Sequence, residues 1–115
     1  MSILSYFNEI VSAAREATAV NVPIYISSLR GVVGQCTKIY QWDGEVIARY
    51  IEIDRDYIAA CYYGHSIRYS PYDTYSLIDT VCHEIAHLYY WQHGEDHSKL
   101  TDDLFQKTVV LIQDL

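Results

Sequence analysis

The sequence predicts one α+β domain in which a helix, three or four strands and two further helices follow one another. Apolar residues spaced three and four apart run through the first and last parts of the chain, a pattern typical of amphipathic helices. The part between them is rich in β-branched and aromatic residues and contains an Asp-Gly pair, which favours paired strands. A chain of 115 residues, half of them hydrophobic, is long enough for one core, whereas two domains would each be too small.

The first helix is predicted from an apolar stripe that begins near the N-terminus. Its members recur at helical spacing: Ile3, Phe7, Ile10, Val11, Ala14 and Ala17. Asn21 and Pro23 are expected to end this helix, because proline disfavours helical backbone at the residue before it.

A small antiparallel sheet of three to four strands is predicted in the middle of the chain. The first strand covers residues 22–27, and residues 38–42 and 45–53 form a hairpin around Asp43-Gly44. Asp-Gly favours a type I′ turn, because both central residues of that turn take positive φ. Residues 54–66 are compatible either with a short helix capped by Asp54 or with a further strand.

The second long helix has a clear predicted start and end. Ser70 can serve as N-cap, Pro71 suits the first helical position, and Asp73 takes the place of a capping-box acid. The helix is expected to run to about residue 92 or 93, with Gly94 as a left-handed residue beyond it. A closing helix is expected from about residue 96 or 98 to residue 112.

Charge and cysteine content limit the function classes. Eight Lys and Arg face fifteen Asp and Glu, a net charge of -7, so strong DNA binding by this chain alone is not expected. The three cysteines show no paired spacing, which argues against a disulfide scaffold and a cysteine zinc ribbon. No signal peptide or membrane-spanning stretch is evident, and we expect a cytoplasmic protein.

The motif that carries chemistry is HExxH, formed by residues 83–87 inside the second long helix. Residues four apart on a helix lie one above the other, so His83 and His87 can reach one zinc ion at roughly 2.0–2.1 Å. Glu84 then lies beside the metal, where it can take a proton from a zinc-activated water. The alternative is a chance match without a metal. The helical context, and the four histidines within residues 83–97, favour the zinc site.

A catalytic zinc site needs a third protein ligand, and most candidates lie downstream of the motif. His97 is favoured over His93, because on a continuing helix His93 is rotated roughly 120° away from the line of His83 and His87. Gly94 offers a break after which residues 95–97 can return to the metal. Weaker candidates are His65, Glu95 and Asp96.

The residues around the motif resemble a known family. Residues 77–87 look like the active-site helix of SprT-like (Spartan-type) zinc metallopeptidases, and residues 93–99 resemble their downstream segment. The stretch beginning at Gly34-Gln35-Cys36, with the hairpin after it, is similar to their β-layer. The motif region is similar also to WLM peptidases and to a small bacterial family of metal-dependent hydrolases with an HSK segment.

The resemblance implies a minimal zincin-like metallopeptidase domain over residues 1–115, with one Zn²⁺ per chain. It implies His83 and His87 as ligands, Glu84 as general base, and His97 or His93 as third ligand. A His-Gly pair often marks the third ligand in this family, which supports His93. Many SprT-like proteins also carry a zinc ribbon and DNA-binding tails that this sequence does not show, so the question of DNA-linked targeting stays open.

We therefore expect a zinc-dependent metallopeptidase that acts on a protein or peptide substrate. The substrate is expected to lie along the strand ending at residues 50–53, and a separate partner could supply targeting. Two alternatives stay open: a metal-binding interaction module without efficient turnover, and a metal-dependent hydrolase of a non-peptide bond. The intact Glu84 disfavours the interaction module, because a site without turnover does not need its base.

Overall fold

A computed structural model of the chain describes residues 2–64, 66–67, 70–71 and 73–112. The fold is α+β, as predicted, with helices packed against a small sheet. In chain order the elements are α1 (Ile3–Thr18), β1 (Ile24–Ser27), β2 (Gly34–Tyr40), β3 (Val46–Asp54), α2 (Arg55–Tyr63), β4 (Ser66–Ile67), β5 (Ser70–Pro71), α3 (Thr74–Ala86) and α4 (Glu95–Leu111). Within the described ranges, no helix is both long and apolar enough to span a bilayer.

The main sheet is mixed rather than antiparallel, which corrects the prediction from the sequence. β3 is the central strand, antiparallel to β2 and parallel to β1. After β1 the chain forms β2 at the opposite edge of the sheet. The hairpin that follows β2 then places β3 between β1 and β2. The prediction that the strand ending at residues 50–53 offers an edge for substrate is therefore wrong. Among the described strands of this sheet, the edges are β1 and β2.

The predicted hairpin between β2 and β3 is present, but its turn is longer than expected. The Gly44 N–H donates to the Gln41 carbonyl at 2.9 Å, and the Gln41 N–H donates to the Glu45 carbonyl at 2.7 Å. Gly44 has a φ of 86°, whereas Asp43 does not have a positive φ, so the turn is not type I′. A longer turn with one left-handed glycine reverses the chain and shifts the register near the end of β2.

The ambiguous segment after β3 forms a helix, the first of the two alternatives predicted, and Asp54 is its N-cap. The Asp54 Oδ2 accepts a hydrogen bond from the Tyr57 N–H at 3.1 Å. Its Oδ1 accepts another from the Leu29 N–H at 2.9 Å, in the loop between β1 and β2. One carboxylate thus holds both the start of α2 and the loop that leads into β2.

Helix α3 starts and ends at residues other than those predicted. Its N-cap is Asp73, whose Oδ1 accepts from the Ser76 N–H at 2.8 Å, while Ser70–Pro71 forms β5 instead. The helix ends at Ala86, well before residue 92. Gly94 has a φ of 176°, which is extended rather than left-handed, and it is the N-cap of α4.

The core lies between the helices and one face of the main sheet. α3 packs against α1, α2 and α4 and also contacts β2 and β3, so it is surrounded by the rest of the fold. The predicted stripe of α1 is buried at Phe7, Ile10, Val11 and Ala14. Large side chains buried in this core include Ile51, Ile53, Ile58, Leu77, Ile78, Val81 and Ile85.

The three cysteines are free thiols, in agreement with their spacing in the sequence. Burial is the main cause that raises the pKa of Cys36, Cys61 and Cys82 to about 11. All three are therefore neutral at pH 7, which disfavours thiolate chemistry at these positions.

Candidate metal centre

Helix α3 brings both histidines of the HExxH motif to one place. The Nε2 atoms of His83 and His87 lie 3.2 Å apart. The two rings meet edge to face, with 4.8 Å between their centroids. This juxtaposition follows from the spacing in the sequence, because residues four apart share one face of a helix.

His93 completes a triangle of imidazole nitrogens with His83 and His87. It lies in the segment between α3 and α4, and its Nε2 is 3.0 Å from the Nε2 of each of the other two. Ligand atoms bound tetrahedrally to zinc lie roughly 3.3 Å apart, since each bond measures about 2.0–2.1 Å. The triangle therefore has nearly the size that one ion in tetrahedral coordination requires.

Hydrogen bonds between the rings do not readily explain why these three nitrogen atoms lie so close together. A neutral imidazole has one N–H, and its other nitrogen has a lone pair. His87 donates its Nδ1–H to the Tyr90 carbonyl at 3.2 Å, because a carbonyl can only accept. The Nε2 of His87 therefore presents a lone pair to the other two rings, which is the form that a metal ligand takes. Together with His97, the three residues form a group that could hold a metal ion.

His97 lies beside the triangle, but its Nε2 is engaged elsewhere. The Nε2–H donates to the His83 carbonyl at 3.0 Å. The distances of 3.0 Å from the Nε2 of His93 to those of His83 and His87 favour His93 as third ligand, whereas the sequence favoured His97 and gave His93 as the alternative. That preference assumed a helix continuing to about residue 92. Because α3 ends at Ala86, the expected rotation of His93 away from the other two rings does not occur.

The two carboxylate candidates do not belong to this group. Glu95 lies in the first turn of α4, where its carboxylate pairs with the exposed Lys99 at 2.9 Å. Asp96 is exposed in the same turn. His65 lies outside the described residues.

Burial and the neighbouring imidazoles keep the rings of His83 and His87 neutral. The pKa of His83 is lowered to about 4, first by burial and then by the neighbouring imidazoles of His97, His87 and His93. Burial is also the main cause that lowers the pKa of His87. Both rings are therefore uncharged near pH 7, with a lone pair available to a cation.

Glu84 is a buried carboxylate next to the histidines. It is 6 % exposed, and burial raises its pKa to about 7. Glu84 lines a cleft of about 900 Å³ together with His83, His87 and His93. The sequence predicted His83, Glu84 and His87 in one site, with His93 as the alternative third ligand, and all four residues line this cleft.

The edge strand β2 borders the same cleft through Gly34 and Cys36. A Cβ at Gly34 would lie 3.1 Å from both the Glu84 Cγ and the Thr80 Cγ2. Only a glycine allows the strand to approach α3 so closely without a shift of these side chains. This role of Gly34 was not predicted, although a glycine inside a strand is the signal of a close approach.

Lys38 and Trp91 connect β2 with the segment that carries His93. The Lys38 Nζ lies 4.4 Å from the centroid of the Trp91 ring, a cation–π contact. Trp91 also lines the cleft, and its ring centroid is 6.3 Å from that of His87. This contact was not predicted, because its two residues are far apart in the sequence.

Comparison with known proteins does not assign this chain to a family. The sequence matches no protein-family model, and neither a curated protein nor a solved structure matches it. The resemblance to SprT-like metallopeptidases therefore stays a prediction from the residues quoted above. The site itself is a group of four histidines that could hold a metal ion, beside a buried Glu84 in an open cleft.

Proposed function

We propose that this protein is a zinc metallopeptidase of the SprT-like type, which hydrolyses peptide bonds with Glu84 as general base. The observation that carries the proposal is the convergence of three imidazole nitrogens, 3.0–3.2 Å apart, beside a buried carboxylate in an open cleft. His83, His87 and His93 would hold the ion. Three protein ligands and one open position are typical of catalytic rather than structural zinc sites.

The donor set favours zinc over the other common divalent cations of proteins. Imidazole nitrogen suits zinc, whereas calcium and magnesium prefer oxygen ligands. A zinc ion bound here would polarise the scissile carbonyl and acidify a water molecule. Both rings of the motif are in the form that binds a metal, because burial holds His83 neutral and the Tyr90 carbonyl orients His87.

Glu84 is suited to move the proton in this reaction. A pKa of about 7 places its carboxylate in the range in which a general base works well at neutral pH. Glu84 takes a proton from the attacking water as the new C–O bond forms. It then delivers the proton to the leaving nitrogen as the peptide C–N bond breaks.

The proposed substrate is an extended segment of a protein or peptide that pairs with β2. The Asp54 N–H donates to the Val33 carbonyl at 2.8 Å, and residues of an antiparallel strand bond to their partner strand alternately. By this alternation, the backbone groups of Gly34, Cys36 and Lys38 point away from β3 and toward the open edge. A peptide added at this edge would lie in the cleft that contains Glu84.

The experiment that tests this function compares the wild type with Glu84→Gln. Glutamine keeps the shape of the side chain but does not accept the proton, so we expect hydrolysis to fall by about 10²–10⁴-fold. Zinc content is expected to stay unchanged. The assay is digestion of casein and of a mixed peptide library, with added zinc and with a chelator. Glu95→Gln is the matched control, because Glu95 is an exposed glutamate outside the cleft.

The outcomes separate the proposed function from its alternatives. Equal hydrolysis by Glu84→Gln and the wild type would contradict the role of Glu84. A wild type that binds zinc but cleaves no peptide would favour the interaction module or a hydrolase of another bond. A wild type that binds no zinc would contradict the proposal as a whole.

A further inference from the structure

Helix α3 ends without a residue that breaks a helix. The residues after Ala86 are His, Leu, Tyr, Tyr, Trp and Gln, with neither Gly nor Pro among them. A helix end leaves its last four carbonyls without partners in a following turn. The carbonyls of residues 84–86 bind the amides of residues 87–90 instead, at 2.9–3.2 Å.

The fourth carbonyl, that of His83, is bound by a side chain from another helix. In a continuing helix the His87 N–H would donate to this carbonyl, but it donates to the Glu84 carbonyl. His97 of α4 donates its Nε2–H to the His83 carbonyl at 3.0 Å. The cap on this end of α3 therefore comes from a residue fourteen positions further along the chain.

The same side chain packs against both histidines of the motif. The ring centroid of His97 lies 4.1 Å from that of His87, at an interplanar angle of 33°, and 4.5 Å from that of His83. His97 is only 2 % exposed, so these contacts are shielded from solvent. Its own carbonyl accepts a hydrogen bond from the Thr101 Oγ1–H at 2.9 Å, within α4. His97 is thus held between two helices in one position.

We propose that His97 is a positioning residue of the metal centre rather than a ligand. It caps the His83 carbonyl and supports the His87 ring, so that α3 can end at Ala86 and the chain can return with His93. The ligand role falls to His93, whose Nε2 lies 3.0 Å from the Nε2 of His83 and of His87, whereas the Nε2 of His97 carries the proton that forms the cap. The effect on metal affinity rests on the proposed function, whereas the capping role does not.

Two substitutions of His97 distinguish the effect of its hydrogen bond from the effect of its aromatic ring. His97→Phe keeps an aromatic ring but leaves the His83 carbonyl without its side-chain donor. His97→Gln places an amide N–H near the position of the imidazole Nε2 but removes the ring. Ser98→Ala is the control, because Ser98 is the exposed neighbour of His97 in the same helix.

The cap is tested by amide hydrogen exchange at residues 87–90 in the metal-free protein. In His97→Phe we expect exchange to be about 5- to 150-fold faster than in the wild type, the range for one carbonyl that loses its hydrogen bond away from solvent. His97→Gln is expected to lie closer to the wild type, and Ser98→Ala to match it. If residues 87–90 exchange in His97→Phe at the rate of the wild type, the proposed cap is wrong.

The effect on the metal centre is tested by zinc affinity against a competing chelator and by the visible spectrum with Co²⁺. His97→Phe is expected to weaken zinc binding by about 10- to 100-fold, as loss of a partner outside the ligand set does. His97→Gln is expected to keep the Co²⁺ spectrum of the wild type, because the ligands are unchanged. A Co²⁺ spectrum lost in His97→Gln but kept in His93→Gln would overturn the proposal.

These measurements also distinguish failure of this inference from failure of the proposed function. If the wild type binds neither zinc nor Co²⁺, the proposed function fails, while the exchange data still decide whether His97 caps α3. If His97→Phe does not fold, the measurements on His97→Gln test the proposed cap instead. Its exchange and Co²⁺ spectrum then either match the wild type and support the cap, or differ from it and overturn the cap.

Discussion

The two ends of helix α3 are held in different ways. At the N-terminal end, the Asp73 Oδ1 accepts hydrogen bonds from the N–H of Ser76 at 2.8 Å and from its hydroxyl at 3.0 Å. At the C-terminal end, the His83 carbonyl is capped by His97 of α4. The first contact forms between near neighbours in the chain, whereas the second needs α4 packed on α3. The candidate metal centre lies at the end that depends on tertiary contacts.

The largest effect is expected at the C-terminal end, from His93→Ala. This substitution removes a proposed ligand, so we expect zinc affinity to fall by more than about 100-fold, beyond what loss of a residue outside the ligand set costs. Zinc should then no longer raise the thermal midpoint, because stabilisation follows binding to the folded state. The measurements are competition with a chelator and thermal unfolding with and without zinc.

The matched control for this prediction is Gln92→Ala, because Gln92 is the exposed neighbour of His93 in the same segment. It should bind zinc like the wild type. A larger loss of zinc affinity in His97→Ala than in His93→Ala would restore His97 as third ligand.

An intermediate effect is expected between the two ends, where β2 lies against α3. In Gly34→Ala the new Cβ meets the Glu84 Cγ and the Thr80 Cγ2 at 3.1 Å and the Ile53 Cδ1 at 3.2 Å. Such overpacking should lower the free energy of unfolding by about 1–3 kcal/mol. Peptidase activity should fall more than zinc affinity, because the displaced side chain is Glu84 and not a ligand.

Gly94→Ser serves as the control for Gly34→Ala. A Cβ at Gly94 meets no atom within 4 Å, and its φ of 176° suits any residue. Denaturant unfolding and peptide hydrolysis are measured on both variants. Wild-type activity and stability in Gly34→Ala would show that the close approach of β2 to Glu84 is not needed.

The smallest effect is expected at the N-terminal end, from Asp73→Ala. Loss of this N-cap should lower the free energy of unfolding by about 1 kcal/mol. Zinc affinity should not change, because the histidines lie at the other end of α3. In the control Asp103→Ala, which removes an exposed pair with Lys107 at 2.9 Å, the loss should be about 0.3–0.5 kcal/mol. A clear loss of zinc affinity in Asp73→Ala would mean that the two ends are not independent.

Some features that depend on near neighbours were predicted from the sequence, although the N-cap of α3 and the turn type of the hairpin were not. The buried stripe of α1 and the β2–β3 hairpin involve residues a few positions apart, and the Asp54 cap of α2 belongs to one of the two alternatives predicted for that segment. The parallel pairing of β1 with β3 was not predicted, because it depends on which strands meet when the chain collapses. The approach of Gly34 to Glu84 was missed for the same reason.

By itself, the sequence determined that His83, Glu84 and His87 share one helix and that both histidines face one site, because helical periodicity acts over a single turn. Only the tertiary structure decided where that helix ends, and therefore which histidine completes the triangle. Residues 87–92 contain neither Gly nor Pro, so local propensity does not stop the helix there. At that end the His83 carbonyl accepts a hydrogen bond from His97 of another helix, a contact that exists only once α4 has packed against α3.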